Sequence, residues 1–447
     1  MRYKTDRIPD QPLDMMARAA TRIVAPSGDP LADGVLSGYG WKGDSLTYAF
    51  PDSKRDYGYK GERDKGFASV NGKIEDAARW VLDKNFGNSA NDGFSLEGLT
   101  DLHVSKGSDK KADIRYAESS SANPTAYAYY PTGGERAGDV WFGKDHIYDT
   151  PKAGNYAFAT VLHETGHALG LKHGHDATSF DRIKTTLHGK YDSLEYSVMT
   201  YHSYPGQKGS GYTNEKFGFP QSFMMADIRA LQHIYGADFD TNSGDTVYSW
   251  SPKNGKTMVD GGVGISPGAN RIFATIWDGG GVDTYDLHAY KTDLVIDLRP
   301  GHYSVFSKRQ LADLDQFRNG KDAHGNIYNA LLFKGDQRSL IENAIGGGGD
   351  DKFRGNAADN TFTGKGGADI FFFRAGAGND TITDFNTDFL ADTINLKGMG
   401  LDFNAILAMS HEDGNDLVID FSSFGNGDSL TLKNVGKDQI HDWNFDF

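Results

Sequence analysis

The chain has 447 residues and no cysteine, and its formal net charge is −15, from 46 Lys and Arg against 61 Asp and Glu. This length is too great for one typical domain, and the lack of cysteine excludes disulfide bonds and thiolate metal ligands. The acidic excess argues against a nucleic acid or an anionic membrane as partner and suits a protein whose carboxylates bind cations. No stretch approaches the roughly 20 apolar residues of a membrane-spanning helix, and the N-terminus lacks the apolar run of a Sec signal peptide.

The first half of the chain predicts alternating strands and helices. Residues 1–35 are polar and carry prolines, which is typical of a leader or pro-segment. Strands are predicted before Pro51 in LSGYGWKGDSLTYAFP, on both sides of the charged turn in DLHVSKGSDKKADIRYAES, and from Thr125 to Pro131 in TAYAYYP. A helix is predicted in VNGKIEDAARWVLDK, where one face carries the apolar residues Ile74, Ala77, Ala78, Val81 and Leu82.

Two longer helices complete this half. YAFATVLHETGHALGL has apolar residues at helical spacing, and the pattern stops at Gly170. SFMMADIRALQHIYGA predicts a second helix before residue 240. Strands that alternate with helices indicate a mixed α/β domain over residues 36–239.

The first of these helices contains the pattern HExxHxxGxxH. His163 and His167 are four residues apart, so both imidazoles project from one face and can reach one ion. Gly170 permits a sharp exit from the helix, after which His173 can return as a third ligand. Three nitrogen ligands leave one position open for water, which is typical of catalytic zinc. Glu164, next to the first ligand, is placed to act on that water without binding the metal.

Such a site needs a floor beneath the zinc, commonly a turn that contains methionine. EYSVMTYHSY supplies Met199, which follows His173 by 26 residues, and then Tyr201. His175 could compete with His173 for the metal, but the spacing favours His173, and we expect His175 to be an exposed neighbour.

The second half, from residue 240, contains a glycine-rich nonapeptide repeat. The repeats run from Gly346 to Arg354, from Gly355 to Thr363 and from Gly364 to Phe372. Their sixth positions are Asp351, Asn360 and Asp369, and their eighth positions are Phe353, Phe362 and Phe371. This pattern predicts a parallel β-roll that binds Ca²⁺. Two repeats complete one coil, so Asp351 should stack on Asp369, and Glu342 on Asn360, whose neutral oxygen makes the second edge the weaker one.

The chain resembles the serralysins, which are secreted bacterial zinc metalloproteases of the metzincin group with a C-terminal calcium-binding β-roll. The resemblance extends from Leu36 to the C-terminus and rests on these segments in order: LTYAFP, ADIRYAES, TAYAYYP, GDVWF, HETGHALGLKH, YSVMTY, ADIRALQHIYGA, GDTVYSW, WDGGGVDTYD and IENAIGGGGDDKF. It implies a two-domain fold, in which a mixed α/β metzincin protease domain over residues 36–239 precedes an all-β parallel β-roll and β-sandwich domain over residues 240–447.

The resemblance also implies roles for particular residues. Tyr201 looks like the tyrosine that can approach the zinc as a fifth ligand and then stabilise the oxyanion. The strand that contains Ala126, Tyr127, Ala128 and Tyr129 looks like the cleft edge that pairs with the substrate backbone. The calcium ligands that the resemblance and the repeat together indicate are Asn242, Gly244, Thr246, Asp278, Gly280, Gly281, Asp283, Leu340, Glu342, Gly346, Gly348, Asp351, Gly364, Gly366 and Asp369.

Export through a type I secretion channel that reads a C-terminal signal is implied as well, which would account for the lack of an N-terminal signal. A small periplasmic inhibitor protein is a possible partner by the same resemblance, and a monomer is expected. Two features depart from the family pattern. Gly174 stands where many relatives have proline after the third histidine, and only about three nonapeptides are recognisable, which predicts a short roll with few ions.

The sequence therefore predicts a secreted zinc endopeptidase with structural calcium and a removable leader. The alternative from another class is a calcium-dependent binding or adhesion module with an inactive protease domain. Against this alternative, His163, Glu164, His167, His173 and Tyr201 are all present. A relative of the matrix metalloproteases is disfavoured because that branch lacks the nonapeptide roll.

Overall fold

A computed structural model describes residues 20–87, 89–318, 320–424 and 427–447. In this part of the chain the α-helices are α1 Pro30–Asp33, α2 Gly72–Leu82, α3 Leu96–Leu99, α4 Tyr156–Ala168, α5 Met225–Tyr235 and α6 Phe403–Met409. No described helix is both long enough and apolar enough to cross a membrane.

The strands divide between the two halves of the chain. The first half contains β1 Thr21–Ile23, β2 Tyr39–Trp41, β3 Ser45–Ala49, β4 Ala68–Ser69, β5 His103–Lys106, β6 Ile114–Glu118, β7 Ala126–Ala128 and β8 Asp139–Phe142. The second half contains β9 Val247–Trp250, β10 Thr257–Val259, β11 Gly262–Ile265, β12 Ala274–Ile276, β13 Thr284–Asp286, β14 Val295–Asp297, β15 Tyr303–Ser304, β16 Ile327–Asn329, β17 Asn343–Ile345, β18 Lys352–Arg354, β19 Thr361–Thr363, β20 Ile370–Phe372, β21 Asn379–Ile382, β22 Thr393–Asn395, β23 Ser410–Asp413, β24 Asp416–Asp420, β25 Ser429–Leu432 and β26 Phe445–Asp446.

The first half is built on one mixed sheet with helices packed against it. Its strands lie in the order β5-β3-β6-β8-β7, and β4 pairs with β6 away from this path. β3, β5, β6 and β8 are parallel, whereas β7 runs antiparallel to β8 at the edge. Helix α4 packs against α2 and against β7 and β8. The predicted α/β architecture is confirmed, and it sets the HExxH helix beside the edge strand.

Helix α2 forms where its sequence pattern predicts. The Asn71 side chain caps it by accepting hydrogen bonds from the backbone N–H groups of Lys73 and Ile74. The predicted apolar face is buried in full, namely Ile74, Ala77, Ala78, Val81 and Leu82. Helix formation is therefore explained by the cap and by burial of this face.

The second half contains the predicted roll. Strands β17 to β22 alternate between two parallel stacks, which are β17-β19-β21 and β18-β20-β22. The three repeat phenylalanines are buried between the stacks, and the ring centroids of Phe353 and Phe371 lie 4.9 Å apart. Each nine-residue repeat contributes one short strand, and the phenylalanine of that strand points into the roll. The three side chains therefore form the core.

The roll is longer than predicted. The first stack continues through β25, and the second extends from β14 through to β26. The expectation of a short roll is therefore wrong. Backbone pairing between parallel strands does not need the glycine signature, so the coils continue where the nonapeptide pattern has faded.

Part of the predicted leader packs into the first half. β1 pairs antiparallel with β2, and α1 contributes the buried Ala32 to the core that also contains Val35 and Leu36. The Lys172 ammonium group donates a 2.6 Å hydrogen bond to the Gly34 carbonyl. Residues 1–19 of the leader lie outside the described residues, and the division of the chain at residues 35 and 239 stays a prediction.

Side chains from both halves meet in one core near the predicted site. Trp277, Leu314 and Tyr328 belong to the same buried cluster as helices α4 and α5. The Tyr328 hydroxyl donates a 2.5 Å hydrogen bond to the buried carboxylate of Glu195, four residues before Met199. The turn that contains Met199 is thus tied to the second half.

Candidate active site

Helix α4 positions three of the predicted site residues. It begins after Asn155, whose side chain accepts the N–H of Phe158, and it holds His163, Glu164 and His167 in its buried second half. It ends at Ala168, and Gly170 follows two residues later. The φ of Gly170 is +105°, and its close approach to the Tyr39 carbonyl excludes a side chain there. The chain then turns back, as predicted, and returns His173 towards the helix.

The three histidines converge. All three are buried, and one ring nitrogen from each lies within 4.8 Å of the other two. The Nε2 atoms of His167 and His173 are 3.2 Å apart. Two nitrogens bound at 2.0–2.1 Å to one tetrahedral zinc would be separated by about 3.3 Å, so the donor set fits this ion.

Backbone carbonyls orient two of these rings. The Nδ1 atom of His163 lies 2.7 Å from the Val198 oxygen, and Nδ1 of His167 lies 2.7 Å from the Leu171 oxygen. A carbonyl only accepts, so each Nδ1 carries the proton and each Nε2 presents its lone pair. Partners of this kind fix the tautomer and the ring direction that metal binding requires.

Met199 packs against α4, and its role as the floor of the site stays a prediction. It is fully buried against Gly166 of α4, where an added Cβ would lie only 2.6 Å from its sulfur. Its carbonyl accepts a 2.9 Å hydrogen bond from Gly174 N–H. Proline has no N–H, so the departure at Gly174 gives this chain a bond that proline could not make.

Asp227 organises the turn around Met199, and it was not predicted from the sequence. Its buried carboxylate accepts hydrogen bonds from Ser197 Oγ at 2.6 Å, from Val198 N at 2.8 Å and from Met224 N at 3.0 Å. Burial raises the pKa of Asp227 to about 6. Because Val198 in turn orients His163, this carboxylate supports the histidine cluster through the backbone. Its place in the first turn of α5 could be read from the sequence, but its partners Ser197 and Val198 lie about 30 residues away.

Tyr201 lies at the histidine cluster, as predicted. Its hydroxyl oxygen is 2.7 Å from Nε2 of His173, and its ring centroid is 4.4 Å from that of His173. The prediction of an exposed His175 is wrong. This residue is half-buried, with its ring centroid 4.4 Å from Tyr201, because its ring packs against the turn that follows Met199.

Glu164 is buried and lines a small, mostly apolar cavity beside the histidines. The same cavity is lined by His163 and by Tyr156, Ala159, Thr160, Leu194, Val198, Tyr212 and Phe219. The Glu164 carboxylate therefore lies between the histidines and a mostly apolar cavity.

Strand β7 packs against helix α4, which carries two of the histidines. Ala126 and Ala128 face the core that contains α4, whereas Tyr127 and Tyr129 face the opposite core, where their hydroxyl groups donate to the buried Glu62. Burial, followed by the negative charge of Glu62, raises the pKa of both tyrosines well above the usual range. The two tyrosine side chains therefore lie away from the histidines, and only the strand's backbone and alanines adjoin that side.

The predicted calcium ligands between the two halves lie together. Thr246 Oγ1 donates to the carbonyls of Asn242 and Gly244, and Thr246 N donates to Asp283. Asp283 N in turn donates to Glu342 at 2.8 Å. The remaining predicted ligands lie nearby. Gly280 N donates to Asp278, and Gly280, Gly281 and Glu342 line one cavity. Leu340 is buried and lines a second cavity together with Asp278.

Carboxylates crowd this first group. Burial, followed by the charge of Asp283, raises the pKa of Asp278 to about 9. Burial raises the pKa of Asp283 to about 6 and that of Glu342 to about 7. A nearby cation would relieve this repulsion and stabilise the ionised forms.

The roll turns form a second group. Asp351 N donates to Asp369 at 2.8 Å, which confirms the predicted stacking of the two residues. The glycines of these turns pack closely: a Cβ on Gly346 would lie 2.7 Å from the Gly364 carbonyl, and Gly366 N donates to Gly347. Gly348 N donates to the Tyr290 carbonyl. Glu342 and Asn360 also stack as predicted, because Asn343 pairs with Thr361.

The stacked residues at the sixth positions of the repeats form a ladder of acidic and amide side chains along the roll. This acidic ladder extends to two carboxylates that were not predicted. Asn360 N donates to Asp380, and Asp369 N donates to Asp392, both at 2.9 Å. These intervals are 20 and 23 residues, whereas two nonapeptides span 18, so the repeat pattern does not identify them. The remaining signal in the sequence was an acidic residue next to short apolar runs, since Asp380 lies in β21 and Asp392 directly precedes β22.

Two family models match the chain. The model described as "Peptidase M10 serralysin C terminal" matches residues 237–446, and the model described as "Matrixin" matches residues 41–188. The matched ranges contain the acidic ladder and the three histidines, respectively.

Curated proteins are also similar to this chain. "Serralysin" from Proteus mirabilis is 33% identical over 326 residues, which cover 71% of this chain and 60% of the relative. "Metalloprotease AprA" from Pseudomonas entomophila (strain L48) is 32% identical over 252 residues, or 54% of this chain and 46% of the relative. "Serralysin A" from Dickeya chrysanthemi is 34% identical over 229 residues, or 51% and 42%. The chain thus spans less than two thirds of the length of these relatives.

Proposed function

Because the chain belongs to the serralysin family of metalloproteases, we propose that it is a secreted zinc-dependent endopeptidase that cleaves protein substrates. The convergence of His163, His167 and His173 within 4.8 Å carries this proposal. Bound at these three nitrogens, Zn²⁺ would polarise a peptide carbonyl and make water acidic enough to attack it near neutral pH.

The protein's own groups handle the protons of this reaction. Glu164 shares α4 with two of the histidines, and we assign it as the general base that removes a proton from the attacking water. As the carbon–nitrogen bond breaks, the same carboxyl group delivers this proton to the departing amine nitrogen. The phenol of Tyr201, 2.7 Å from Nε2 of His173, is placed to donate a hydrogen bond to the developing oxyanion.

Strand β7 is proposed to align the substrate. It is the antiparallel edge strand of its sheet, and α4 packs against it. An extended peptide that pairs with the backbone of residues 126–129 would pass beside the histidines. The apolar cavity next to Glu164 would then accept a substrate side chain adjacent to the cleaved bond.

Calcium is proposed to be structural, at the ligands between the halves and in the roll turns. Carboxylates with raised pKa values, such as Asp351 and Glu342, repel their neighbours until a cation neutralises them. A chain of net charge −15 that is poorly ordered without calcium and folds in the calcium-rich exterior suits export through a type I channel. That channel and a small inhibitor protein are proposed partners, and the divisions at residues 35 and 239 are proposed domain boundaries.

Hydrolysis of an unfolded protein by the wild type and by Glu164→Gln tests this function. We expect activity in the wild type that requires zinc and that falls at least about 1000-fold in the variant, because the general base is lost while the shape is kept. Zinc content, measured by metal analysis, should be equal in the two proteins. Equal activity would exclude Glu164 as the base. No activity in a zinc-loaded wild type would favour the calcium-dependent binding module instead.

A further inference from the structure

His175 makes two contacts with Tyr201, and neither follows from the HExxHxxGxxH pattern. Its Nδ1 atom accepts a 3.3 Å hydrogen bond from the backbone N–H of Tyr201. Its ring also packs against the phenol, with centroids 4.4 Å apart and planes at 38°. The side chain therefore holds Tyr201 at both its backbone and its ring.

The neighbouring residue extends this contact. Gly174 N–H donates to the Met199 carbonyl at 2.9 Å, so residues 174 and 175 bind the turn at two successive points. A Cβ at position 174 would lie 2.6 Å from Leu187, which packs closely on the other side. Residues 174 and 175 are therefore packed between Leu187 and the turn that contains Met199, which keeps them next to Tyr201.

The His202 ring lies beside the His175 ring and is itself paired with Asp192. The His202 ring centroid lies 5.6 Å from that of His175, and Nδ1 of His202 lies 2.8 Å from the Asp192 carboxylate. Asp192 also accepts a hydrogen bond from the Thr200 hydroxyl, next to Tyr201. Two flanking residues of Tyr201 are therefore anchored to the same carboxylate.

From these contacts we propose that His175 is a positioning residue, which fixes Tyr201 through the hydrogen bond between its Nδ1 atom and the Tyr201 N–H. The inference rests on the proposed function, in which the phenol meets the oxyanion. A misplaced hydrogen-bond donor stabilises the transition state less but leaves substrate binding nearly unchanged. The substitution should therefore lower kcat and leave KM as it is.

Three substitutions separate the hydrogen bond from the filling of space. His175→Asn keeps an acceptor near the Nδ1 position, His175→Phe keeps the ring, and His175→Ala removes both. We expect Ala and Phe to lower kcat about tenfold, the effect expected for one hydrogen bond, and Asn to recover most of the activity. KM and zinc content should stay at wild-type values. His103→Ala, at a side chain that is 81% exposed, is the matched control.

A double-mutant cycle tests whether the effect passes through the phenol. In a Tyr201→Phe background, His175→Ala should cause no further loss of kcat, because there is no hydroxyl left to position. Additive losses, or full activity of His175→Phe, would overturn the proposal, since His175 would then act elsewhere or only fill space.

Hydrogen–deuterium exchange distinguishes failure of this inference from failure of the proposed function. It reports the Tyr201 N–H bond in any folded sample, whether or not the protein cleaves peptides. We expect slow exchange at Tyr201 in the wild type and in His175→Asn, and faster exchange in His175→Ala and His175→Phe. Equal exchange in all four proteins would overturn the inference even if the wild type is an active peptidase.

Discussion

Calcium-free protein is expected to lose stability as the pH rises, because two roll carboxylates are buried. Burial raises the pKa of Asp351 to about 6 and that of Asp369 to about 7, from an ordinary value of 3.8. Since the folded state binds these protons more tightly than the unfolded state, their contribution to stability is complete below about pH 4. It is lost as the pH rises through 6 and 7, and calcium, which binds the ionised carboxylates, should reverse the trend.

The size of the effect follows from these pKa values. A tenfold difference in proton affinity corresponds to about 1.4 kcal/mol, so the two carboxyl groups would contribute about 7 kcal/mol without screening. The roll turns lie near solvent, which screens the charges of the two carboxylates. We therefore expect the free energy of unfolding to fall by about half of that value, or roughly 3 kcal/mol, between pH 4 and pH 8. For a unit of this size, the melting temperature should fall by about 6–12 °C.

Thermal unfolding of the roll, followed by calorimetry at several pH values, measures this change. Calcium is removed with a chelator while free zinc is held constant, so that the histidine site is not altered. The double variant Asp351→Asn/Asp369→Asn should lose the share of the pH dependence that these two groups contribute, because neither amide titrates in this range. Other buried carboxylates, such as Asp283 and Glu342, should keep their own share. The control variant Asp413→Asn, at an exposed position of β23, should behave as the wild type does.

Either of two results would refute this reasoning. One is a calcium-free melting temperature that stays constant or rises between pH 4 and pH 8. The other is a double variant that keeps the wild-type slope, which would assign the pH dependence to other groups.

Three further substitutions test how the site is supported. Gly166→Ala should destabilise the protein by about 1–3 kcal/mol and weaken zinc binding, since the new methyl group would lie 2.6 Å from the Met199 sulfur. Thermal unfolding and a zinc competition assay measure the two effects. Unchanged zinc affinity would contradict the proposal that Met199 supports the histidine cluster. Asp227→Asn should cost about 2 kcal/mol in urea denaturation. The N–H groups of Val198 and Met224 share one carboxylate oxygen, so an amide that still accepts both turns its NH2 group towards the Ser197 hydroxyl, which loses its acceptor. Tyr328→Phe leaves the buried Glu195 with one donor fewer, at a cost of about 1–3 kcal/mol, and an unchanged urea midpoint would show that this contact does not stabilise the turn.

Local periodicity accounts for what could be predicted. His163 and His167 lie on one face of α4 because a helix repeats every 3.6 residues, and Gly170, with its positive φ, permits the turn that follows the helix. In the roll, Asp351 and Asp369 stack because both lie at the same place in a nine-residue period. Each of these statements needs only the spacing of residues near one another in the chain.

The sequence by itself therefore determined which three histidines converge, the place of Glu164 beside the first of them, and the repeating half of the protein. Only the tertiary structure decided that Asp227 holds the turn above Met199, that His175 packs on Tyr201, and that the Tyr127 side chain points away from the cleft. These contacts join residues that lie about 25 to 65 positions apart in the chain. No helix, strand or repeat period relates such positions, and they meet only because packing of the sheet, the helices and the turn brings them together.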